Sequence, residues 1–477
     1  MLRSARVITA ALLVAVFAIL AVPLGFAAVP SVIGAFEVPE PTPEPTTDPR
    51  QLPPSTLTPP AHVTALDPAA PQPTSDLLAA ALDAELSLDG PGGFSGVVLD
   101  AESGDVLFDR DSDKLQLPAS NQKLLTAATV LAKIDPNRRL ETTVVGGEQA
   151  SELVLVAGGD VLLSAGRSDP GTVVGRAGLQ TLAEETLAAV DPADAPFSIL
   201  LDDTLFVGPT LNAGWLPGDV ATGEIAPIFP LAINSSWVTE GASQGARTPD
   251  AALDAATVFS DAFAAAGSEL GIEVTAGVIR SQAPDDGVQL AAVESATVAE
   301  QVEHLLLTSD NYLAESLARL AARAAGQPAS FGGATDTMVS VMNQLGVATE
   351  GLVVSDAAGL SPRNAVSPAQ LAAVVRALAV SEDQGLASVL AGLPIAGLSG
   401  TLQDRYEPQG PAADGAGLVR AKTGTLNAVT ALSGYVVTAD GRLLVFSLIA
   451  GGLEGNTLAA RTAIDQAAAL LAACGCR

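Results

Sequence analysis

The chain holds four lysines, Lys114, Lys123, Lys133 and Lys422, against nineteen arginines. Two of them stand where a serine nucleophile needs an amine. Lys123 closes Ser120-Asn121-Gln122-Lys123, and Lys422 opens Lys422-Thr423-Gly424-Thr425. Arginine keeps its proton at any workable pH, whereas a desolvated lysine releases it and serves as a base. Codon bias toward GC would explain the scarcity of lysine but not this placement. With Ser120 at the start of a helix after Pro118, Lys123 lies one turn on, on the same face. The positive end of the helix dipole favours negative charge on the serine oxygen and disfavours a second cation on lysine. Burial and a nearby Lys422 then push Lys123 toward a usable base.

A second hydroxyl and an amide come from Ser309-x-Asn311, at a break between two helical patterns. A hydroxyl there relays a proton to a leaving amine, and the amide holds Lys123 and a substrate carbonyl. The Lys422-Thr423-Gly424-Thr425 stretch has a strand pattern. Gly424, without a side chain, lets a substrate backbone approach and pair as an added strand. The N–H groups of Thr425 and Ser120 are candidates for an oxyanion hole. The Lys422 charge, with the Thr423 and Thr425 hydroxyls, suits a terminal carboxylate. Each motif alone is common, and a helical Ser-Lys pair is usually a solvated surface. The three together, in this order and in a chain so poor in lysine, point to acyl transfer.

Composition narrows the alternatives. A net charge of −30 with no basic run excludes nucleic acid as a partner, because phosphate binding needs a basic stripe. Two His and two Cys give no zinc spacing, so no metal or other cofactor is expected. A Ser-His-Asp triad would depend on His304 alone, since His62 falls in a Pro-rich stretch. Cys474 and Cys476 read as a strained local disulfide or a packed tail. Hydrophobic content of 48% with only 4% aromatic residues implies a core of Ala, Val and Leu.

The elements that position these motifs begin after two N-terminal segments. Arg3 and Arg6 precede an apolar run, with no charge until Glu37, so residues 1–36 read as a signal or membrane anchor with the remainder outside. Residues 37–75, with twelve prolines, read as a disordered linker. The folded body starts near Asp76 in a helix with Ser75 as its N-cap. Residues 94–100 and 106–108 form a hairpin, and 124–134 a buried helix. Short strands and helices alternate over about 140–290, with a helix expected over 257–270. Helices follow over 297–308 and 312–325, then strands over 418–429, 432–437 and 442–449, and a closing helix over 456–473. This order implies one α/β sandwich, residues 76–140 and 291–477, interrupted by an inserted α/β region, 141–290.

The motif set resembles the active-site-serine penicillin-recognising enzymes. Among them it is similar to the penicillin-binding protein 4 type of D-alanyl-D-alanine carboxypeptidase/endopeptidase. The spacing of 186 from Lys123 to Ser309 leaves room for the domains that this type inserts between its first two motifs. Further matches are Trp215 with Ala226-Pro227-Ile228, Gly397-x-x-Gly400-Thr401-Leu402 and Asp356-x-x-Gly359-Leu360-Ser361. The resemblance implies a β-lactamase/transpeptidase-like sandwich of an antiparallel sheet and helices. It makes Ser120 the acylated nucleophile and Lys123 its base. Ser309 and Asn311 become the second motif, and Lys422, Thr423, Gly424 and Thr425 the substrate-binding third. It implies peptidoglycan stem peptides as substrate, β-lactams as covalent inhibitors and no cofactor. Ala357-Ala358 stands where the family tends to have Gly-Ser, and Pro362 separates Ser361 from Arg363-Asn364, which leaves the shape of that loop open. The alternatives are a β-lactamase or esterase on the same machinery, or a wall-binding relative without turnover. No Glu-x-x-Leu-Asn follows Ser309, which favours a peptidase.

Overall fold

The computed structural model describes Leu66, residues 69–239 and residues 241–474. The expected signal or anchor, 1–36, and the linker up to residue 65 lie outside the described residues. Among the described residues no helix is long and apolar enough to cross a membrane.

The strands are β1 (Gly93–Asp100), β2 (Val106–Arg110), β3 (Arg139–Gly146), β4 (Glu152–Val156), β5 (Ser198–Asp202), β6 (Ile279–Arg280), β7 (Gln289–Thr297), β8 (Arg420–Leu426), β9 (Val429–Val437) and β10 (Leu443–Gly451). The helices are α1 (Ser75–Glu85), α2 (Gln122–Lys133), α3 (Leu179–Ala189), α4 (Pro217–Ala221), α5 (Ala251–Gly267), α6 (Val298–Thr308), α7 (Asn311–Ala324), α8 (Phe331–Gln344), α9 (Pro368–Ala379), α10 (Gln384–Ala387) and α11 (Thr457–Ala473).

One sheet has the order β2-β1-β10-β9-β8 and is antiparallel throughout. Its strands alternate between two cores, as a period of two requires. Leu444, Phe446 and Leu448 of β10 face a core shared with Leu78 and Leu82 of α1 and Ile464 and Leu471 of α11. Val445 and Ile449 face the opposite core, with Leu124 and Leu125 of α2, Leu313 and Leu317 of α7 and Leu371 of α9. The sheet is therefore a middle layer between helices, and β8 is its edge. The second sheet, β6-β5-β4-β3-β7, is mixed: β3 pairs antiparallel with β4 and β7, while β4, β5 and β6 run parallel. Phe259 and Phe263 of α5 pack with Phe197 beneath it.

Several local expectations shift. Helix α1 starts at Ser75 itself, and Thr74 occupies the N-cap position without a capping bond. The residues before it are fixed: Ala70 O accepts from Arg442 Nη1 at 3.3 Å, and Gln72 Nε2 donates to Ser103 Oγ at 3.1 Å. The helix expected from Thr257 begins at Ala251, where the Asp250 side chain accepts from Leu253 N and caps it. The strand expected over 418–429 ends at Leu426, and Val429 opens β9 after a two-residue turn.

Candidate active site

Ser120 does not lie inside a helix. It sits in a 3₁₀ turn, Ala119–Asn121, directly before α2. Ala119 carries a left-handed φ of 47°, a conformation that costs a residue with a Cβ of order 1–3 kcal/mol. Two glycines make room for this turn. A Cβ on Gly359 would stand 2.0 Å from Ala119 O, and one on Gly424 2.7 Å from Asn121 Nδ2.

Lys123 follows in the first turn of α2 and is fully buried. Its Nζ donates to Ser120 Oγ at 3.0 Å, Asn311 Oδ1 at 2.6 Å and Ala358 O at 2.7 Å. Three acceptors hold the amine without any ion pair, which lets it lose its proton without breaking a strong charge pair. Burial pushes Lys123 down to about 8, opposed by the fields of Asp356, Asp310, Glu315 and Glu224.

The second motif is a junction of two helices. α6 opens with a capping box, the Thr297 side chain on Glu300 N and the Glu300 side chain on Thr297 N, and ends at Ser309 with a left-handed φ of 60°. Asp310 is the N-cap of α7, accepting from Tyr312 N and Leu313 N. This break aims Ser309 and Asn311 at the same point. Lys422 Nζ donates to Ser309 Oγ at 2.9 Å, and Asn311 Nδ2 donates to Glu224 O at 2.9 Å.

Lys422 lies in edge strand β8, opposite Ser433 of β9, and is as fully buried as Lys123. Its other acceptor is Thr423 O at 3.0 Å. Burial first, then the charges of Lys123 and Arg405, hold Lys422 well below the usual lysine range. The sequence reading had burial and Lys422 together driving Lys123 down, with Lys422 keeping its own charge. Burial is the first cause at Lys123, but Lys422 is driven down as well, by burial and by neighbouring cations, with no carboxylate field to hold its proton. A bound anion would restore its charge. Thr423 shares a 2.7 Å hydrogen bond with Thr401, which joins the Gly397–Leu402 turn to β8. Gly424 faces the Ser120 turn, and Thr425 beyond it is exposed.

Sequence reasoning singled out Asp356 without a role and missed Glu315. The buried Asp356 carboxylate accepts from Gly359 N, Leu360 N, Ser361 N, Asn364 Nδ2 and Trp215 Nε1 at 2.7–3.1 Å. Glu315, one turn after Asn311 on α7, accepts from both Ala357 N and Ala358 N at 2.8 Å, and burial pushes it up to about 8. The loop thus supplies backbone groups: two amides to Glu315 and the Ala358 carbonyl to Lys123. Alanine side chains at 357 and 358 fit that task. Arg363 stays exposed beside it. Among the described residues no cluster suited to a metal ion occurs.

Ser120, Ser309 and Asn311 open on a cleft of about 630 Å³, whose far wall includes Ser164, Glu224 and Trp237. A buried Ser-Lys pair, a second Ser-Lys pair and an amide around one cleft form an acyl-transfer constellation without histidine.

The same architecture is found in penicillin binding protein 4 of Haemophilus influenzae, at a TM-score of 0.64 and 20% identity over 81% of this chain and 97% of that one. The fold is therefore the β-lactamase/transpeptidase-like sandwich that the motifs implied. The model of the D-Ala-D-Ala carboxypeptidase 3 (S13) family matches residues 78–248 and 239–474, and the chain belongs to that family. It is 36% identical to carboxypeptidase DacB of Mycolicibacterium smegmatis over 89% of each chain. It is 29% identical to a D-alanyl-D-alanine carboxypeptidase of Actinomadura, over 76% of this chain and 79% of that relative.

Proposed function

We propose that the chain hydrolyses the D-Ala-D-Ala bond of peptidoglycan stem peptides through an acyl-serine intermediate. The observation that carries this reading is the 3.0 Å bond between Lys123 Nζ and Ser120 Oγ, with the amine buried and pushed down to about 8. Neutral Lys123 takes the proton as Ser120 Oγ attacks the carbonyl carbon of the penultimate D-Ala. The C–N bond breaks, and terminal D-Ala leaves with the proton that Lys123 took, handed on through Ser309, which Lys422 holds at 2.9 Å, so Lys123 is neutral again. Water, deprotonated by Lys123, then attacks the acyl carbon, and Ser120 regains its proton as the shortened peptide leaves. Asn311 positions Lys123 and the substrate carbonyl. Lys422, Thr423, Gly424 and Thr425 take the terminal carboxylate and pair with the peptide backbone.

The catalytic domain is discontinuous in this reading, 76–140 and 291–477, with 141–290 inserted. The separate five-stranded sheet and its own core support an insertion, with strands β3 and β7 carrying it from Arg139 to Thr297, a few residues beyond those bounds on each side. The apolar run and Pro-rich stretch before residue 76 support export, with the body held on the cell-wall face by an anchor or released by cleavage. β-Lactams act as covalent inhibitors at Ser120 in the same reading; penicillin binding protein 4 of Haemophilus influenzae has been solved with a β-lactam. Digestion of purified uncrosslinked and crosslinked muropeptides tests the activity. Release of D-Ala from pentapeptide ends is expected, loss of crosslinked dimers would add an endopeptidase role, and no release from either would reject the reading.

A further inference from the structure

The Ser309-Asp310-Asn311 junction is gripped from outside by residues 223–247. Asn311 Nδ2 donates to Glu224 O at 2.9 Å, and Phe229 N donates to Tyr312 Oη at 2.9 Å. Ser235 Oγ donates to Asp310 Oδ2, and Arg247 Nη2 stands 4.0 Å from Asp310 Oδ1. Arg247 binds this segment to itself as well. Its Nε donates to Gly223 O at 2.8 Å, its Nη1 donates to Ser235 O, and its guanidinium lies 3.6 Å from the centre of the Trp237 ring. The side chain is only 4% exposed, so these contacts occupy nearly all of it. A planar fork donating to two carbonyls and facing a carboxylate while stacked on an indole is a geometry that lysine cannot reproduce.

The backbone at the centre of this grip is strained. Asn234, Ser235 and Ser236 have φ of 41°, 51° and 65°, three consecutive left-handed residues that carry a Cβ. Such conformations persist only where the surroundings over-determine them. Here Arg247 takes the Ser235 carbonyl while Asp310 takes the Ser235 hydroxyl. Asp310 in turn caps α7, and the residue before it, Ser309, is left-handed too.

We propose that Arg247 is a positioning residue for the reaction. Through Ser235 and Asp310 it sets the turn at Ser309, and with it the Ser309 hydroxyl and the Asn311 amide. The region between the first two motifs then builds catalytic geometry as well as a cleft wall. The proposal rests on the reading of Ser309 and Asn311 as reaction groups.

The test uses the full chain as wild type, Arg247→Met, Arg247→Lys, Ser235→Ala and the Arg247→Met/Ser235→Ala double variant. Saturating acylation rates with a fluorescent penicillin, kcat and KM on a D-Ala-D-Ala peptide, and melting temperature are measured. Misplacement of reacting groups by about 1 Å costs on the order of 100-fold. Arg247→Met should therefore lose about 10- to 100-fold in kcat and in acylation rate, with KM within about twofold, and Arg247→Lys should not rescue it. Ser235→Ala should lose less, and the double variant should be no worse than Arg247→Met, because both act along one path. A folded Arg247→Met with wild-type kcat, or a loss confined to KM, would overturn the proposal. If Arg247→Met shows no melting transition, Ser235→Ala decides, since wild-type kcat there overturns it and a fall in kcat at constant KM supports it. A wild-type chain that takes no label would instead sink the reading of the site, and the brace with it.

Discussion

Raising the pH from 6 to 8 should speed acylation of Ser120 steeply, and raising it beyond 9 should add little. The cause is the burial that brings Lys123 down to about 8, since only the neutral amine can take the Ser120 proton. At that value about one Lys123 in ten is neutral at pH 7 and about ten in eleven at pH 9. The rate should rise about tenfold from pH 6 to 7 and about tenfold again from pH 7 to 9, then level off. A lysine at its ordinary value would keep the rate climbing past pH 10. Stopped-flow labelling at saturating fluorescent penicillin reads this directly, because saturation removes the part of the pH dependence that Lys422 imposes on binding. A rate that is flat or falling between pH 6.5 and 8.5, or one still rising tenfold per unit above pH 9, would refute the reasoning.

Lys123→Met keeps most of the buried volume and removes the base, so acylation should fall about 10²- to 10⁴-fold, measured by labelling at fixed time. Gly359→Ala would put a Cβ 2.0 Å from Ala119 O at a φ of 88°, so the turn carrying Ser120 must move. It should lower both the labelling rate, by about tenfold or more, and the urea midpoint. Asp356→Asn leaves the shape but turns an NH2 group toward two donors, Gly359 N and Asn364 Nδ2, or toward three, Leu360 N, Ser361 N and Trp215 Nε1, at about 1–3 kcal/mol for each donor left without an acceptor. A lower melting temperature with slower labelling is expected, because the same loop presents the Ala358 carbonyl to Lys123.

The parts of the fold readable in the sequence were those written locally. The alternation Val97/Val98 in β1 and Leu444 to Leu448 in β10 marks a two-faced sheet, and three-residue spacing puts Ser120 and Lys123 together. The break at Ser309-Asp310-Asn311 shows because helical periodicity stops and restarts. The β8–β9 turn was missed because Asn427-Ala428 contains neither Gly nor Pro. The start of α5 was missed because an Ala-rich run carries little periodicity before Thr257. Glu315 reads as an ordinary charged helix residue, and only the loop folded over it from 355–364 buries it. Arg247 gives even less signal, since its acceptors Gly223 and Ser235 are backbone carbonyls. The left-handed run at Asn234–Ser236 has no compositional signature and depends on tertiary contacts. The fall of Lys422 was likewise hidden, because its desolvation is a property of the packed site.

The central claim is that Ser120 forms the covalent intermediate. Intact-mass and peptide-mapping measurements on the full chain after incubation with benzylpenicillin test it most directly. One adduct per chain on the peptide carrying Ser120, absent from Ser120→Ala, is the predicted result. An unmodified wild-type chain, an adduct on another residue, or labelling that survives Ser120→Ala would contradict it.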